Sequence, residues 1–174
     1  MLFTKKGDDG KTNIFGCNQK ISKSSAITEA LGSLDEINSY LGICKAKIEN
    51  KKNKELIHRI QNDLFVVQAQ VAGADKKIKK DEVKYFEKII NDLEKELPPI
   101  KTFLISGANE ISASFDFTRT LARRAERRVV AANEEGIAKI DSETLVFMNR
   151  LSSLLYALAR KFAMADGAEK SPKY

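Results

Sequence analysis

Apolar residues recur every three or four positions along five separate stretches of the chain. This spacing is that of one face of an α-helix, and such a stripe is normally buried against another element. The stretches run over about 27–48, 56–71, 83–97, 109–134 and 142–165. No segment shows a convincing strand pattern. The spacing therefore predicts an all-α protein.

Residues that start or end helices lie between these stretches. Pro98 and Pro99 close the third one, because proline lacks the amide donor that continues a helix. The short apolar segment 100–105 that follows is predicted to be a structured loop. Residues that favour helix caps are Gly136, Asp141 or Ser142, and Gly167. Long helices with one apolar stripe each can bury it only against one another, so we expect a five-helix antiparallel bundle.

Length and composition indicate a single domain. The chain has 174 residues, which suits one core, since two cores of half that size would each be small. Hydrophobic residues are 43% and charged residues 31%, which is too apolar for a disordered chain. We divide the domain into an N-terminal loop (1–25), a helical bundle (26–167) and a tail (168–174).

Targeting signals and cysteine motifs are not evident. No apolar run reaches the ~20 residues of a membrane span, and the start MLFTKKGDDG lacks the apolar core of a signal peptide. We therefore expect a cytoplasmic protein with no membrane partner. Cys17 and Cys44 lack CxxC spacing, which predicts structural thiols rather than a disulfide framework or a zinc site. The net charge of +6 favours an anionic partner but does not choose among nucleotide, nucleic acid and membrane.

The segment TKKGDDGKTN, residues 4–13, combines glycines, hydroxyls and lysines ahead of the first helix. Amides freed by glycine can converge on an anion, while Thr4, Thr12 and Lys5 can add hydrogen bonds and charge. The segment is not a P-loop, because Lys5 stands where that motif needs glycine and no strand precedes it. It favours a phosphate site, although GDDG taken alone is more often a plain turn.

Four charged side chains share one face of the fourth predicted helix: Arg119, Arg123, Glu126 and Arg127. Clustered guanidinium groups repel one another unless they are exposed, paired with carboxylates or facing an anion such as a triphosphate. Glu126 offsets only part of the charge, and Arg124 and Arg128 point elsewhere. The face is therefore either a basic surface or an anion site.

Two further polar residues border apolar stripes. Asp35 lies beside the stripe of the first helix, where a buried carboxylate would need a cationic partner. Asn149 borders the stripe of the last helix, and each residue could reach a ligand or be structural. His58 forms a Glu-x-x-His motif with Glu55, but carboxylate di-iron bundles use two such motifs and the chain has one histidine. We therefore interpret His58 as a surface residue.

Taken together and in order, these segments resemble the PduO-type ATP:cob(I)alamin adenosyltransferases along almost the whole chain. The resemblance rests on TKKGDDGKTN, on ISKSSAITEALGSLDEINSYLG from Ile21, on FLISGANEISASFDFTRTLARRAERR from Phe103, and on MNRLSSLLYALAR from Met148. It implies a five-helix bundle assembled as a homotrimer with active sites between subunits.

The resemblance also implies roles for individual residues. Those that match the family's ATP site are Thr4, Lys5, Lys6, Gly7, Thr12, Asn13, Lys23, Arg123, Arg124, Glu126, Arg127 and Asn149. Asp35 and Arg119 match a carboxylate and an arginine that pair across the subunit interface. Phe103 matches an aromatic residue beneath the corrin ring, which displaces the lower axial ligand and leaves the cobalt four-coordinate. With Arg123, these three are the predicted catalytic residues.

The implied reaction is attack of Co(I) of cobalamin on the 5′ carbon of ATP, which forms a cobalt–carbon bond and expels triphosphate. Arginine, lysine, backbone amides and a Mg²⁺ bound through the ATP phosphates would stabilise the leaving group. No general base is required, because cobalt supplies the nucleophile. A reductase and a cobalamin-dependent acceptor enzyme would be further partners.

The chain departs from the family pattern at several positions: Ile27 for arginine, Ser106-Gly107-Ala108 for Pro-Gly-Gly, Asp116 for histidine and Ser153 for aspartate. These changes leave the predicted catalytic positions and Asn149 intact. They therefore bear on affinity and on the choice of corrinoid more than on the class of reaction.

Two other classes of function stay open from the residues themselves. The first is a helical nucleic-acid-binding module that uses the arginine-rich helix, and the second is a structural bundle without activity. A phosphate-backbone binder loses affinity steeply as salt rises, which would separate the first class from an ATP enzyme. The arginine-rich helix also carries Phe115, Leu121 and Val129, which favour packing over groove entry, so we expect no nucleic-acid partner.

Overall fold

The computed structural model describes residues 3–15, 20–165 and 170–172. A short antiparallel pair of strands precedes five helices. The elements are β1 (Lys11–Thr12), β2 (Ile21–Ser22), α1 (Ala26–Lys47), α2 (Lys51–Val71), α3 (Lys80–Glu96), α4 (Glu110–Glu134) and α5 (Ser142–Ala165). The prediction of five helices and an all-α fold is confirmed. The segment 100–105 has no regular structure, as expected.

Polar caps explain where the helices begin and end. The side chain of Asn50 accepts a hydrogen bond from the Asn53 amide at 3.1 Å, so α2 begins ahead of its first apolar position. Asn109 caps α4 in the same way. Gly136 follows α4 with a φ of 69°, the left-handed conformation predicted for a C-terminal cap. The carbonyl of Asp141 accepts from the Leu145 amide at 3.2 Å and starts α5.

The helices are arranged across the bundle in the order α2, α1, α4, α5, α3. The pairs α1–α2, α1–α4 and α4–α5 run antiparallel, whereas α3 and α5 run parallel. The parallel direction follows from two contacts: the Phe86 and Phe147 ring centroids lie 5.2 Å apart, and Lys161 pairs with Glu96 at 3.8 Å. It arises because a single helix, α4, reverses the chain between them.

The core lies around the two central helices, α4 and α5. Phe115 and Phe162 stack across that pair, with ring centroids 5.3 Å apart. Small residues let the two helices approach each other, and those that are buried include Ala122, Ala125, Ala132, Ala159 and Ala163. Burying one large apolar side chain contributes about 1.5–3 kcal/mol. The packed pair therefore holds the exposed side chains of α4 and α5 in place.

Cys44 is buried, and its Sγ atom lies 3.3 Å from the hydroxyl of Thr118 on α4. Burial raises the pKa of its thiol above the ordinary value, which suits a structural role. Cys17, Gly167 and the ends of the tail lie outside the described residues. In the ranges that are described, no helix combines the length and apolar character needed to cross a membrane.

Candidate active site

The N-terminal loop folds around lysine side chains. Lys23 donates from Nζ to the Gly7 carbonyl at 2.8 Å, and Lys20 donates to the Lys6 carbonyl at 3.1 Å while pairing with Asp9 at 2.8 Å. A Cβ atom at Gly7 would lie 3.0 Å from the Lys23 Nζ. Glycine is therefore the residue that lets the lysine reach the backbone here.

Lys5 adopts a φ of 60°, a conformation that is uncommon for a residue with a side chain. Holding a non-glycine residue in the left-handed region costs about 1–3 kcal/mol, and such strain is concentrated at functional sites. The Lys5 carbonyl accepts from the Asp8 amide at 3.4 Å, which closes the turn. The loop therefore keeps a strained backbone conformation at Lys5.

A cavity of about 450 Å³ opens along this loop. Its lining consists of Thr4, Lys6, Gly7, Lys11, Thr12, Asn13, Lys20 and Lys23. Among the described residues the lining contains lysines and neutral groups but no carboxylate, so the cavity suits an anion. All of the loop residues assigned to ATP from the resemblance line it except Lys5. Lys11 and Lys20 were missed, because the β1–β2 pairing that brings them there has no clear sequence pattern.

A second basic surface lies between α4 and α5. Arg123, Glu126 and Arg127 of α4 and Asn149 of α5 line a cavity of about 290 Å³. Asn149 donates to Glu126 at 3.0 Å and accepts from Arg150 at 2.8 Å. Arg123 and Arg127 are exposed, and neither forms a hydrogen bond or an ion pair within the parts of the chain that the structure describes. Their charge is available to an anion.

A neighbouring cavity of about 360 Å³ also includes Arg123. Its other lining residues are Phe103, Leu104, Ser106, Arg119, Ser152, Ser153 and Tyr156. The Phe103 side chain is 80% exposed, although it is a large aromatic group. An exposed ring at the edge of a basic cavity is typical of a ligand-binding surface rather than of a packing position. Two of the departures from the family pattern, Ser106 and Ser153, lie here.

Arg119 is half-buried at the wall of the Phe103 cavity. Its guanidinium carbon lies 5.7 Å from the centre of the Tyr156 ring, in a cation–π arrangement. Tyr156 was missed from the sequence. The signal that could have found it is the helical spacing from Asn149 through Ser152 and Ser153, which puts all four residues along one side of α5.

Asp35 is exposed rather than set beside the core, and it lines a different cavity, of about 370 Å³, with Lys45 and His58. It forms no ion pair with Arg119 within one chain.

Of the stretches that are described, none brings three or more His, Cys, Asp or Glu side chains into a metal-binding group. Ile27, another departure from the family pattern, is buried in the core.

The remaining arginines of α4 face α1. Arg124 pairs with Glu36, and Arg128 pairs with Glu29 at 3.7 Å. Within one chain Arg124 therefore points away from the surface that carries Arg123, as the spacing along the helix predicts. Phe115 and Val129 are fully buried, so one side of α4 packs in the core along most of the helix.

The loop cavity and the two arginine cavities are separate in one chain. No residue lines both the first and either of the others. The hydrogen bonds and ion pairs of the described residues likewise do not join the loop to the Arg119–Arg127 face. One chain thus carries two separate basic surfaces, one at the loop and one on α4 and α5.

A five-helix bundle with a lysine-lined loop and an arginine-lined helix pair defines a helical protein built to bind anionic ligands. The chain belongs to the cobalamin adenosyltransferase family, whose sequence model matches residues 2–162.

Three bacterial relatives illustrate the similarity. The chain is 35% identical over 166 residues to the corrinoid adenosyltransferase PduO of Citrobacter freundii, a match that covers 91% of this chain and 49% of that protein. It is 32% identical to another corrinoid adenosyltransferase of Citrobacter freundii, covering 91% of this chain and 93% of the relative. A corrinoid adenosyltransferase of Bacillus subtilis is also 32% identical, with 91% and 84% covered. The chain thus spans about half the length of the PduO relatives and most of the shorter ones.

Solved structures show the same fold. A variant of a PduO-type ATP:corrinoid adenosyltransferase from Lactobacillus reuteri, complexed with cobalamin and ATP, superimposes with a TM-score of 0.90 at 28% identity. That match covers 100% of this chain and 96% of the other. A further variant of the same enzyme, complexed with ATP, gives a TM-score of 0.88 at 28% identity, with 99% of each chain covered.

Proposed function

We propose that the chain transfers the 5′-deoxyadenosyl group of ATP to the Co(I) centre of a corrinoid and releases triphosphate. The observation that carries this proposal is the exposure and position of the Arg123 side chain. Its guanidinium group is exposed, has no partner among the described residues and borders both the Asn149 cavity and the Phe103 cavity. One cation is thus available to an anionic leaving group on one side and adjoins the exposed aromatic ring on the other.

The electrostatic requirement of this reaction is to stabilise the charge of the triphosphate. Unpaired guanidinium groups and lysines meet it best when they are oriented before the reaction, because no reorganisation is then needed. We assign the triphosphate to the lysine-lined loop together with Arg123 and Arg127. Arg124, which pairs with Glu36 on the other side of α4, stays assigned to the ATP site only as a prediction from the resemblance. The corrin ring is assigned to Phe103 and the Arg119 cavity.

Mg²⁺ is proposed to bind through the ATP phosphates. Mg²⁺ commonly keeps several waters and is held largely by substrate phosphates, so this assignment requires no dedicated group of metal-binding side chains. Its chemistry would be neutralisation of phosphate charge.

The active site is proposed to be shared between subunits of a homotrimer. The loop and the arginine face line separate cavities with no residue in common, which supports a site that is completed by a second chain. The exposed Asp35 carboxylate, without an ion-pair partner among the described residues, is assigned to Arg119 of a neighbouring subunit. A cytoplasmic location, a reductase and an acceptor enzyme stay predictions from the sequence.

The activity is tested by mixing the purified chain with ATP, Mg²⁺ and chemically reduced cobalamin. Adenosylcobalamin should form and be visible by absorbance. Failure to form product above the protein-free control would overturn the proposal.

The shared site is tested by mixing two impaired variants, Lys23→Ala in the loop and Arg123→Ala on α4, at an ATP concentration well below KM, where each alone should keep roughly a tenth of the activity or less. Random assembly into trimers would rebuild intact sites from one loop and one α4 face in roughly a quarter of positions. Activity should therefore return to roughly that fraction of the unaltered enzyme. A mixture as impaired as its components would contradict a site shared between chains.

A further inference from the structure

Asp116 lies one turn before Arg119 on α4 and lines a small cavity that shares Leu104, Ser106 and Tyr156 with the Phe103 cavity. Its side chain is only 13% exposed. Its Oδ2 atom accepts a hydrogen bond from the Gly107 amide at 3.2 Å, and its Oδ1 atom lies 3.8 Å from Nε of Arg119. The two oxygens of one carboxylate thus contact both sides of the Phe103 cavity: the turn at Gly107, next to the lining residue Ser106, and the lining residue Arg119.

The first wall is the loop that carries Phe103. Gly107 has a φ of 90°, so the chain turns sharply there before α4 begins. The Asp116 carboxylate anchors the amide at that turn. On the other side of Ser106, the Ile105 amide donates to the Lys170 carbonyl at 2.8 Å. Phe103 and Ser106 line the cavity, so these two anchors determine how that part of the loop is presented.

The second wall is Arg119. Its Nε atom is buried and has no hydrogen-bond partner in the described structure, and its guanidinium group faces the Tyr156 ring. Asp116 supplies the one carboxylate within 4.0 Å of it among the described residues. Arg123 lines the same cavity, so that without this carboxylate two guanidinium groups would face the cavity with no countercharge from their own chain.

We propose that Asp116 is a positioning residue for the corrinoid half of the site. Its carboxylate holds the Phe103 loop and Arg119 in one fixed arrangement, so that the ring and the guanidinium group are presented together. The inference rests on the proposed function. It concerns this chain in particular, because a neutral imidazole at position 116 could accept from Gly107 but would carry no negative charge toward Arg119.

Asp116→Asn and Asp116→Ala separate the two contacts. Asparagine keeps an acceptor for the Gly107 amide but removes the charge beside Arg119, whereas alanine removes both. Asp92→Asn is the matched control, because Asp92 forms only local pairs with Lys88 and Lys95 on the exposed face of α3. The measurements are KM for the corrinoid, KM for ATP, and the fraction of cob(II)alamin that becomes four-coordinate with ATP bound, followed by absorbance.

Asp116→Asn should raise KM for the corrinoid by roughly tenfold, the effect of one lost contact to a charged group, and Asp116→Ala should raise it further. The four-coordinate fraction should fall in the same order, while KM for ATP changes by less than about twofold. The control should match the unaltered enzyme in all three measurements.

Unchanged corrinoid binding in both variants would overturn the inference, and so would an equal rise in both KM values, which would indicate a general structural role. If both variants fail to fold, Asp116 serves stability alone and the inference is likewise overturned. Lack of turnover by the unaltered chain is a different result, because it removes the proposed function and this inference with it.

Discussion

Asn149 on α5 donates a hydrogen bond from Nδ2 to Oε1 of Glu126 on α4, at a distance of 3.0 Å. The carboxylate on the arginine face is therefore engaged by a neutral amide. Arg123 and Arg127, which share that face, form no ion pair within the described residues. Because charge-assisted hydrogen bonds are among the strongest in proteins, unpaired guanidinium groups at this position can bind a triphosphate firmly.

Replacing Arg123 by alanine should lower turnover by roughly 100-fold or more, because a donor aimed at developing charge is lost. Stability should change by less than about 0.5 kcal/mol, since the side chain is exposed and unpaired. Steady-state kinetics and thermal melting check the two expectations. Arg128→Ala is the control: this arginine lies on the same helix but pairs with Glu29. Near-normal turnover by the Arg123 variant would refute the role.

Replacing Phe103 by alanine should impair reduction of cob(II)alamin more than ATP binding. The ring is exposed, so its removal should hardly affect the fold, but the corrin would lose the aromatic surface proposed to displace its lower ligand. The checks are the rate of Co(II) reduction and the Kd for ATP. Ile100→Ala removes another exposed apolar side chain from the same connection and serves as the control. Equal losses in both quantities would count against the assignment.

Replacing Gly7 by alanine should raise KM for ATP, because the added Cβ would lie 3.0 Å from Lys23 Nζ and 3.3 Å from the Lys11 carbonyl. The flexible end of Lys23 must then move away from the loop. Lys23→Ala should have a similar effect of roughly tenfold, as expected for one contact to a charged group. In a double-mutant cycle, the variant with both changes should show a rise in KM for ATP little larger than that of either single variant. Fully additive effects would show that they act separately.

Asp63 on α2 should make stability depend on pH. Burial and the neighbouring Glu82 raise its pKa from the ordinary value near 4 to about 6, while Arg59 opposes the shift. The native state therefore holds this proton more tightly than the unfolded state does. Its contribution is most favourable below about pH 4 and is lost as pH rises through about 6.

Asp63→Asn should accordingly be more stable than the unaltered chain at pH 8, by about 1 kcal/mol once the partial exposure of the carboxyl is allowed for. The advantage should shrink at pH 5, where the native carboxyl is largely protonated. Denaturant unfolding at the two pH values measures it. The same difference at both would contradict a raised pKa.

The sequence by itself determined the five helices and the separation of charges around α4. Helical periodicity, the proline pair and the glycine after α4 are local signals, and hydrogen bonds between residues four apart make them sufficient. The same spacing separated Arg123 and Arg127 from Arg124. The loop residues were recognised together because they are adjacent in the chain.

Only the tertiary structure decided which helices are neighbours and which side chains meet across them. The Asp116 contact with Gly107, the Tyr156 ring beside Arg119 and the approach of Lys20 to the loop all depend on how distant segments pack. Periodicity states which face of a helix is buried, but it does not state the partner or the register. Those are decided by the packing of all the side chains at once, because each apolar stripe can be buried against more than one other helix.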